Sequence, residues 1–150
     1  MKIADDKIKR QLQGMVTIII RNDETGEVET IGPNLVVNKA YERLAELLGH
    51  TSTSQVANIA FGIGGAVPAA ASDTSLTGVV ATRAVTVSYP YAYTVRFTAT
   101  WESAAVSAAD VNEVGLLFAD GALTARYTFA EMRKSVGWVW EIQWELAYAV

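Results

Sequence analysis

Residues 85–101 read VTVSYPYAYTVRFTATW. The odd positions, Val85, Val87, Tyr89, Tyr91, Tyr93, Val95, Phe97, Ala99 and Trp101, are apolar or aromatic, while the even ones are mostly Thr, Ser and Arg. This period-two alternation is the pattern of strands with one face buried. Pro90 lacks the N–H that a ladder requires. The run therefore predicts two strands folded about a turn near Pro90 and Ala92.

The same pattern extends outward in both directions. Near the C-terminus, Trp138, Trp140, Ile142, Trp144, Leu146 and Tyr148 alternate with Val139, Glu141, Gln143, Glu145 and Ala147. "NEVGLLFA" reads as a buried strand and "DGALTARYTFA" as its hairpin partner, with Asp120-Gly121 at the turn. Val56 to Phe61 reads as a short buried strand. "MVTIIIRNDETGEVETI" reads as a hairpin whose turn contains Gly26. One helix interrupts the series. In "NLVVNKAYERLAELLGH", Val37, Tyr41, Leu44 and Leu48 recur at helical spacing, with Ala40 and Leu47 widening the stripe. Asn38 is the expected N-cap and Gly49 the expected stop. The prediction is a mainly β fold: an antiparallel β-sandwich or partly open barrel with one α-helix packed at its edge. Residues 1–14, with charges of both signs and no periodicity, read as an N-terminal arm, and 15–150 as a single β-rich domain.

Composition narrows the function. At 150 residues with 51% hydrophobic and 19% charged side chains, the chain suits one globular domain with a core. The net charge of -4 disfavours a direct nucleic-acid role, which rests on Lys and Arg against phosphates. No cysteine is present, which excludes disulfides and thiolate chemistry within the chain. The lone histidine excludes a multi-histidine metal site within one chain. The longest apolar runs fall well short of the ~20 residues a membrane helix needs. These features predict a soluble protein made in a cytoplasm, with no cofactor and no membrane contact.

Four features carry chemistry elsewhere. The first is "FGIGGAVPAAASDTSL". A phosphate-binding loop would place Lys and Ser or Thr after its second glycine, but Gly65, Ala66, Val67 and Pro68 follow Gly64. A dinucleotide fingerprint would want glycine at 67. The stretch therefore reads as a structural loop, with Gly62, Gly64 and Gly65 leaving the sheet at φ angles other residues avoid. Asp73 is expected to bond backbone amides two residues on, and Leu76 to pin the loop's far end. The second is His50, at a helix end with no nucleophile motif around it; it reads as an ordinary helix-end residue. The third is the carboxylates. Glu141 and Glu145 share a strand face, as paired acids of a hydrolase would, but opposite the tryptophans they read as a solvated face. Asp5, Asp6, Asp23, Glu24 and Glu27 lack calcium-loop spacing. The fourth is the aromatics. The tryptophan row reads as core. Tyr89, Tyr91 and Tyr93, clustered at a proline turn, are the candidate interface, because tyrosine is enriched at contact surfaces.

The order of motifs resembles a family of tailed-bacteriophage virion proteins, those related to tail fibres, baseplates and tail collars. Asp23, Thr25, Gly26 and Glu27 fit its "D-x-x-T-G-E/K" turn. Asn34, Leu35, Val36 and Asn38 fit its "N-L-V-x-N-x-G", with Ala40 in place of the glycine. Ala60, Phe61, Gly62 and Gly64 fit "A-L-G-x-G", with Phe61 for the leucine. Pro68, Ala69, Asp73, Thr74 and Leu76 fit "P-A-x-x-D-T-x-L", and Arg83 the arginine that follows. Glu113, Gly115, Leu116 and Phe118 fit "E-x-G-L-F" with Leu117 inserted, and "GALTARYTFA" fits "G-x-L-x-A-R-x-x-F". The resemblance spans about residues 15–148. It implies a non-enzymatic structural component of the virion, assembled in the bacterial host cytoplasm. Such a component acts as a homo-oligomer that docks on other phage virion proteins. A receptor- or carbohydrate-binding module of a tail fibre and a capsid decoration protein are the alternatives. Within the family pattern, Glu113 on a buried strand requires a partner, and Arg83 and Arg126 are the candidates for a buried ion pair.

Overall fold

The computed structural model describes residues 12–22, 26–102, 110–133 and 138–148. Nine strands and one helix follow in order: β1 (Leu12–Asn22), β2 (Gly26–Val36), α1 (Asn38–Leu48), β3 (Val56–Gly62), β4 (Ala81–Ala84), β5 (Thr86–Ser88), β6 (Thr94–Trp101), β7 (Asp110–Phe118), β8 (Leu123–Arg133) and β9 (Val139–Tyr148). All pairings are antiparallel, in the spatial order β4-β3-β7-β8-β2-β1-β9-β6-β5. The two strands at the ends of that order, β4 and β5, are separated in the chain by Val85 alone. One bent segment thus pairs with β3 through its first half and with β6 through its second, and the sheet nearly closes into a barrel. A second corner lies in β2, which follows β1 from Gly26 to Asn34 and meets β8 only at Leu35 and Val36. The mainly β architecture with one helix is as the alternation predicts.

Strand register decides what fills the interior. Val16, Ile18 and Ile20 lie opposite Trp144, Ile142 and Trp140, and these lie opposite Phe97, Ala99 and Trp101 on β6. Ile59 and Phe61 pair with Leu116 and Val114 to complete the other wall. Trp101, Trp140 and Trp144 are almost wholly buried, so the barrel is packed by side chains, as small barrels are. Phe61 stacks obliquely on Trp101, with ring centres 4.7 Å apart, and edge-on to Trp140 at 5.2 Å. Gly32 faces inward under Tyr127: a Cβ there would lie 2.3 Å from the ring.

Four expectations about the elements change. β1 begins at Leu12, so the end of the expected arm is a strand paired with β9; residues 1–11 lie outside the described residues, as do 23–25 of the first turn. The residue before α1 is Val37, without a side-chain cap, and Asn38 is the first helical residue; its amide donates to Ala71 O at 2.8 Å. The buried residues of α1 are Ala40 and Arg43, next to the buried Val37, whereas Tyr41 is partly exposed and Leu48 is 84% exposed. Gly49 follows α1 at φ −84°, and the left-handed residue that ends the turn is His50, at φ 59°.

Candidate functional site

The loop between β3 and β4 lies across the outer face of β3, β7 and β8, and a buried ion pair holds it there. On β7, Glu113 and Gly115 alternate outward while Val114 and Leu116 face the core. Glu113 is fully buried and Arg126, from β8, is 5% exposed. Arg126 Nε donates to Glu113 Oε2 at 2.8 Å. One terminal nitrogen of Arg126 donates to Asp73 Oδ2 (3.0 Å) and Pro68 O (3.2 Å), the other to Gly64 O (2.8 Å) and Val67 O (2.9 Å). All five donors of the guanidinium are therefore used. Glu113 Oε1 accepts from the amides of Gly64 (2.9 Å) and Thr77 (3.0 Å). Asp73 Oδ2 also accepts from Ala70 N at 2.9 Å. A buried charge set is tolerable only when its hydrogen-bonding capacity is filled in this way. With its donors committed to the protein, this cluster is a staple.

The staple accounts for the residues expected in the loop and corrects their roles. Gly62, Gly64 and Gly65 are not at positive φ; Gly26, Gly78 and Gly121 are. The three glycines are needed for close approach. A Cβ at Gly62 or Gly64 would lie 2.5 or 2.8 Å from Glu113 Oε1, and one at Gly65 2.0 Å from Asn112 O. Asp73 bonds a backbone amide three residues before it, and Arg126, rather than amides two residues on. The Asx turn forms instead at Asp120, whose Oδ1 accepts from Ala122 N at 3.1 Å. Leu76 does pin the loop: it sits over Gly115, where a Cβ would come within 2.9 Å of its methyl groups. Of the two candidate arginines, Arg126 reaches Glu113, while Arg83 is exposed on β4. Asn112 is a residue the sequence did not mark. It occupies the register shift between Val111 and Glu113, and its Oδ1 accepts from Gly65 N at 2.7 Å.

A second site lies at the end of the barrel where β1 starts and β9 stops. There α1 crosses beside the open end without filling it. A cavity of about 620 Å³ remains, floored by Phe97, Phe118 and Leu146 and walled by Leu44. Tyr89, Tyr91 and Tyr93, all exposed by two thirds or more, line its rim together with Tyr148. The tyrosine turn therefore lies beside a concave apolar surface. Tyr93 holds φ 61°, an uncommon conformation for a bulky residue that costs ~1–3 kcal/mol and concentrates at functional places. Thr124, from the start of β8, is 2% exposed and lines the same cavity; its Oγ1 has no hydrogen-bond partner among the described residues. The sequence signal for this site was the tyrosine cluster alone, because the other walls come from seven separate elements.

Other candidates are held by neighbouring side chains. Glu141 receives a hydrogen bond from Gln143 and pairs with Arg21 at 3.1 Å; these interactions hold its carboxyl below the usual carboxylate range. Glu145 pairs with Arg96 at 2.5 Å. The two acids are thus engaged by separate arginines on an outer strand face. Trp140 and Trp144 are core, and Trp138 packs partly buried against it. Asp5, Asp6, Asp23 and Glu24 lie outside the described residues. Arg43 of α1 lies 4.9 Å over the Phe118 ring and 2.6 Å from Asp120, tying the helix to the β7–β8 turn.

Fold and sites together define a nearly closed antiparallel barrel, with a stapled loop on one wall and an apolar, tyrosine-rimmed mouth. Compared with protein-family models, curated proteins and solved structures, the chain matches none.

Proposed function

We propose that this chain is a non-enzymatic structural component of a tailed-phage particle, in the tail, collar or neck, or baseplate. It acts by self-association and by docking on neighbouring virion proteins. One observation carries the reading. Four of the segments that resemble the virion family, spread over about sixty residues from Gly64 to Arg126, meet in the staple. "A-x-G-x-G" supplies Gly64, "D-T-x-L" supplies Asp73 and Leu76, "E-x-G" supplies Glu113 and Gly115, and "A-R-x-x-F" supplies Arg126. What these motifs have in common is the ability to fix a long loop on a barrel wall. A family defined by such motifs shares architecture, which is what a repeating particle component needs. The exposed tyrosine turn is the surface that docks, since aromatic residues concentrate at the centres of protein interfaces.

The test is location. Particles from a host that carries this gene, purified on a density gradient, should contain its peptides by mass spectrometry at a fixed multiple per particle. Recovery only from the unassembled fraction would reject the proposal. The same exposed tyrosines favour a second reading, a receptor-binding module of a tail fibre. Binding on a glycan array that is lost on replacing Tyr89 and Tyr91 by Ser would select that reading, and a blank array would dismiss its carbohydrate form.

A further inference from the structure

The mouth cavity goes beyond both readings. Its volume of about 620 Å³ falls within the ~300–1,000 Å³ typical of small-molecule sites, and the mouths of β-barrels are a common place for them. Among the described residues no charged side chain lines it. An ionised ligand would lose its hydration without compensation. A sugar would bring many hydroxyls to a wall that is almost entirely carbon. Thr124 lines the cavity, but its hydroxyl oxygen is sealed from it, so the wall offers a ligand an apolar surface.

We propose that this cavity binds a neutral, apolar molecule, of the class of medium-length hydrocarbon chains. Its carbon body lies along Leu44, Phe97 and Leu146. The tyrosines of the β5–β6 turn close over the outer end.

The experiment uses the full chain and two probes. Diphenylhexatriene is an uncharged hydrocarbon that fluoresces only out of water; decanol is an uncharged chain that competes with it. Saturable fluorescence at one probe per chain, displaced by decanol, is the expected result. Leu44→Trp fills the cavity and should weaken the probe at least about tenfold, with an unchanged circular dichroism spectrum. Thr124→Val keeps the shape and should leave both affinities within about twofold, because the hydroxyl does not face the ligand.

Absence of saturable fluorescence overturns the proposal, as does binding indifferent to Leu44→Trp. Light scattering settles the competing occupant: a wild-type oligomer that excludes the probe and falls apart in Leu44→Trp would show that a second copy covers the cavity. That outcome rejects the small-molecule site and leaves the virion reading standing, so the two fail separately.

Discussion

Arg126 Nε stands 2.8 Å from Glu113 Oε2, with both side chains sealed between the barrel wall and the loop that connects β3 to β4. The partners are neighbours across the β7–β8 ladder, yet most of their other bonds reach into the loop. Removing one partner strands a buried charge. Glu113→Gln should therefore cost about 3–5 kcal/mol, read as a lower urea midpoint. Arg126→Met should cost a similar amount. The double variant should cost clearly less than the sum, because no unpaired charge remains. Strict additivity would mean the pair is not a unit.

Glycine replacements separate crowding from backbone conformation. A Cβ at Gly65 would meet Asn112 O, a backbone atom that cannot swing away. Gly65→Ala should cost about 1–3 kcal/mol and speed proteolysis within the loop. Gly121, at φ +90°, has open space around the Cβ position. Gly121→Ala should cost about 1–2 kcal/mol through strain alone and leave loop proteolysis unchanged. Equal loop cleavage in the two variants would contradict the close-approach account.

These contrasts mark where the sequence was legible. Val95 to Trp101 announced a half-buried strand by alternation, because its even residues face solvent and its odd ones the tryptophans of β9. Closure of the barrel was not announced. Ala81–Ala84 is short, largely exposed and without alternation, Thr86–Ser88 is only three residues long and exposed, and each needs a partner fixed elsewhere in the chain. A glycine required for space looks the same in sequence as one required for φ. The atom that crowds Gly64 comes from a residue 49 positions later. Tyr41 and Leu48 kept the helical period and still ended up exposed. The inward place went to Arg43, because Phe118 and Asp120 present a ring face and a carboxylate to it. The tyrosine cluster was visible; the cavity behind it, assembled from strand ends, was not.

Acid should loosen the attachment of α1. The hydrogen bond from Arg43 holds the Asp120 carboxyl below its usual range, and the Ala122 amide adds to this. A carboxyl depressed in the folded state stabilises it above the unfolded pKa, and that stability is lost as pH falls through the folded pKa. The window lies below about pH 4. Asp120→Asn should therefore melt below the wild type near pH 7, with the difference shrinking toward about pH 3. A difference that stays constant over that range would remove the ion pair from the account.

Tyr93 sets stability against binding. Its φ of 61° is strained for a ring-bearing residue, while its carbonyl accepts from Tyr148 N at 3.2 Å, so the backbone there is held. Glycine tolerates that conformation and relieves ~1–3 kcal/mol of strain, less about 0.5–1 kcal/mol for its greater freedom when unfolded. Tyr93→Gly should thus raise the thermal midpoint by a few degrees. It should also remove one wall of the rim and weaken diphenylhexatriene binding. A variant that loses stability would show the ring to be packing that the fold requires. A variant that gains stability and binds as before would place the ligand's contacts on the other tyrosines. The expected result is a gain in one and a loss in the other, because a strained residue is retained where its side chain has work that the fold alone does not need.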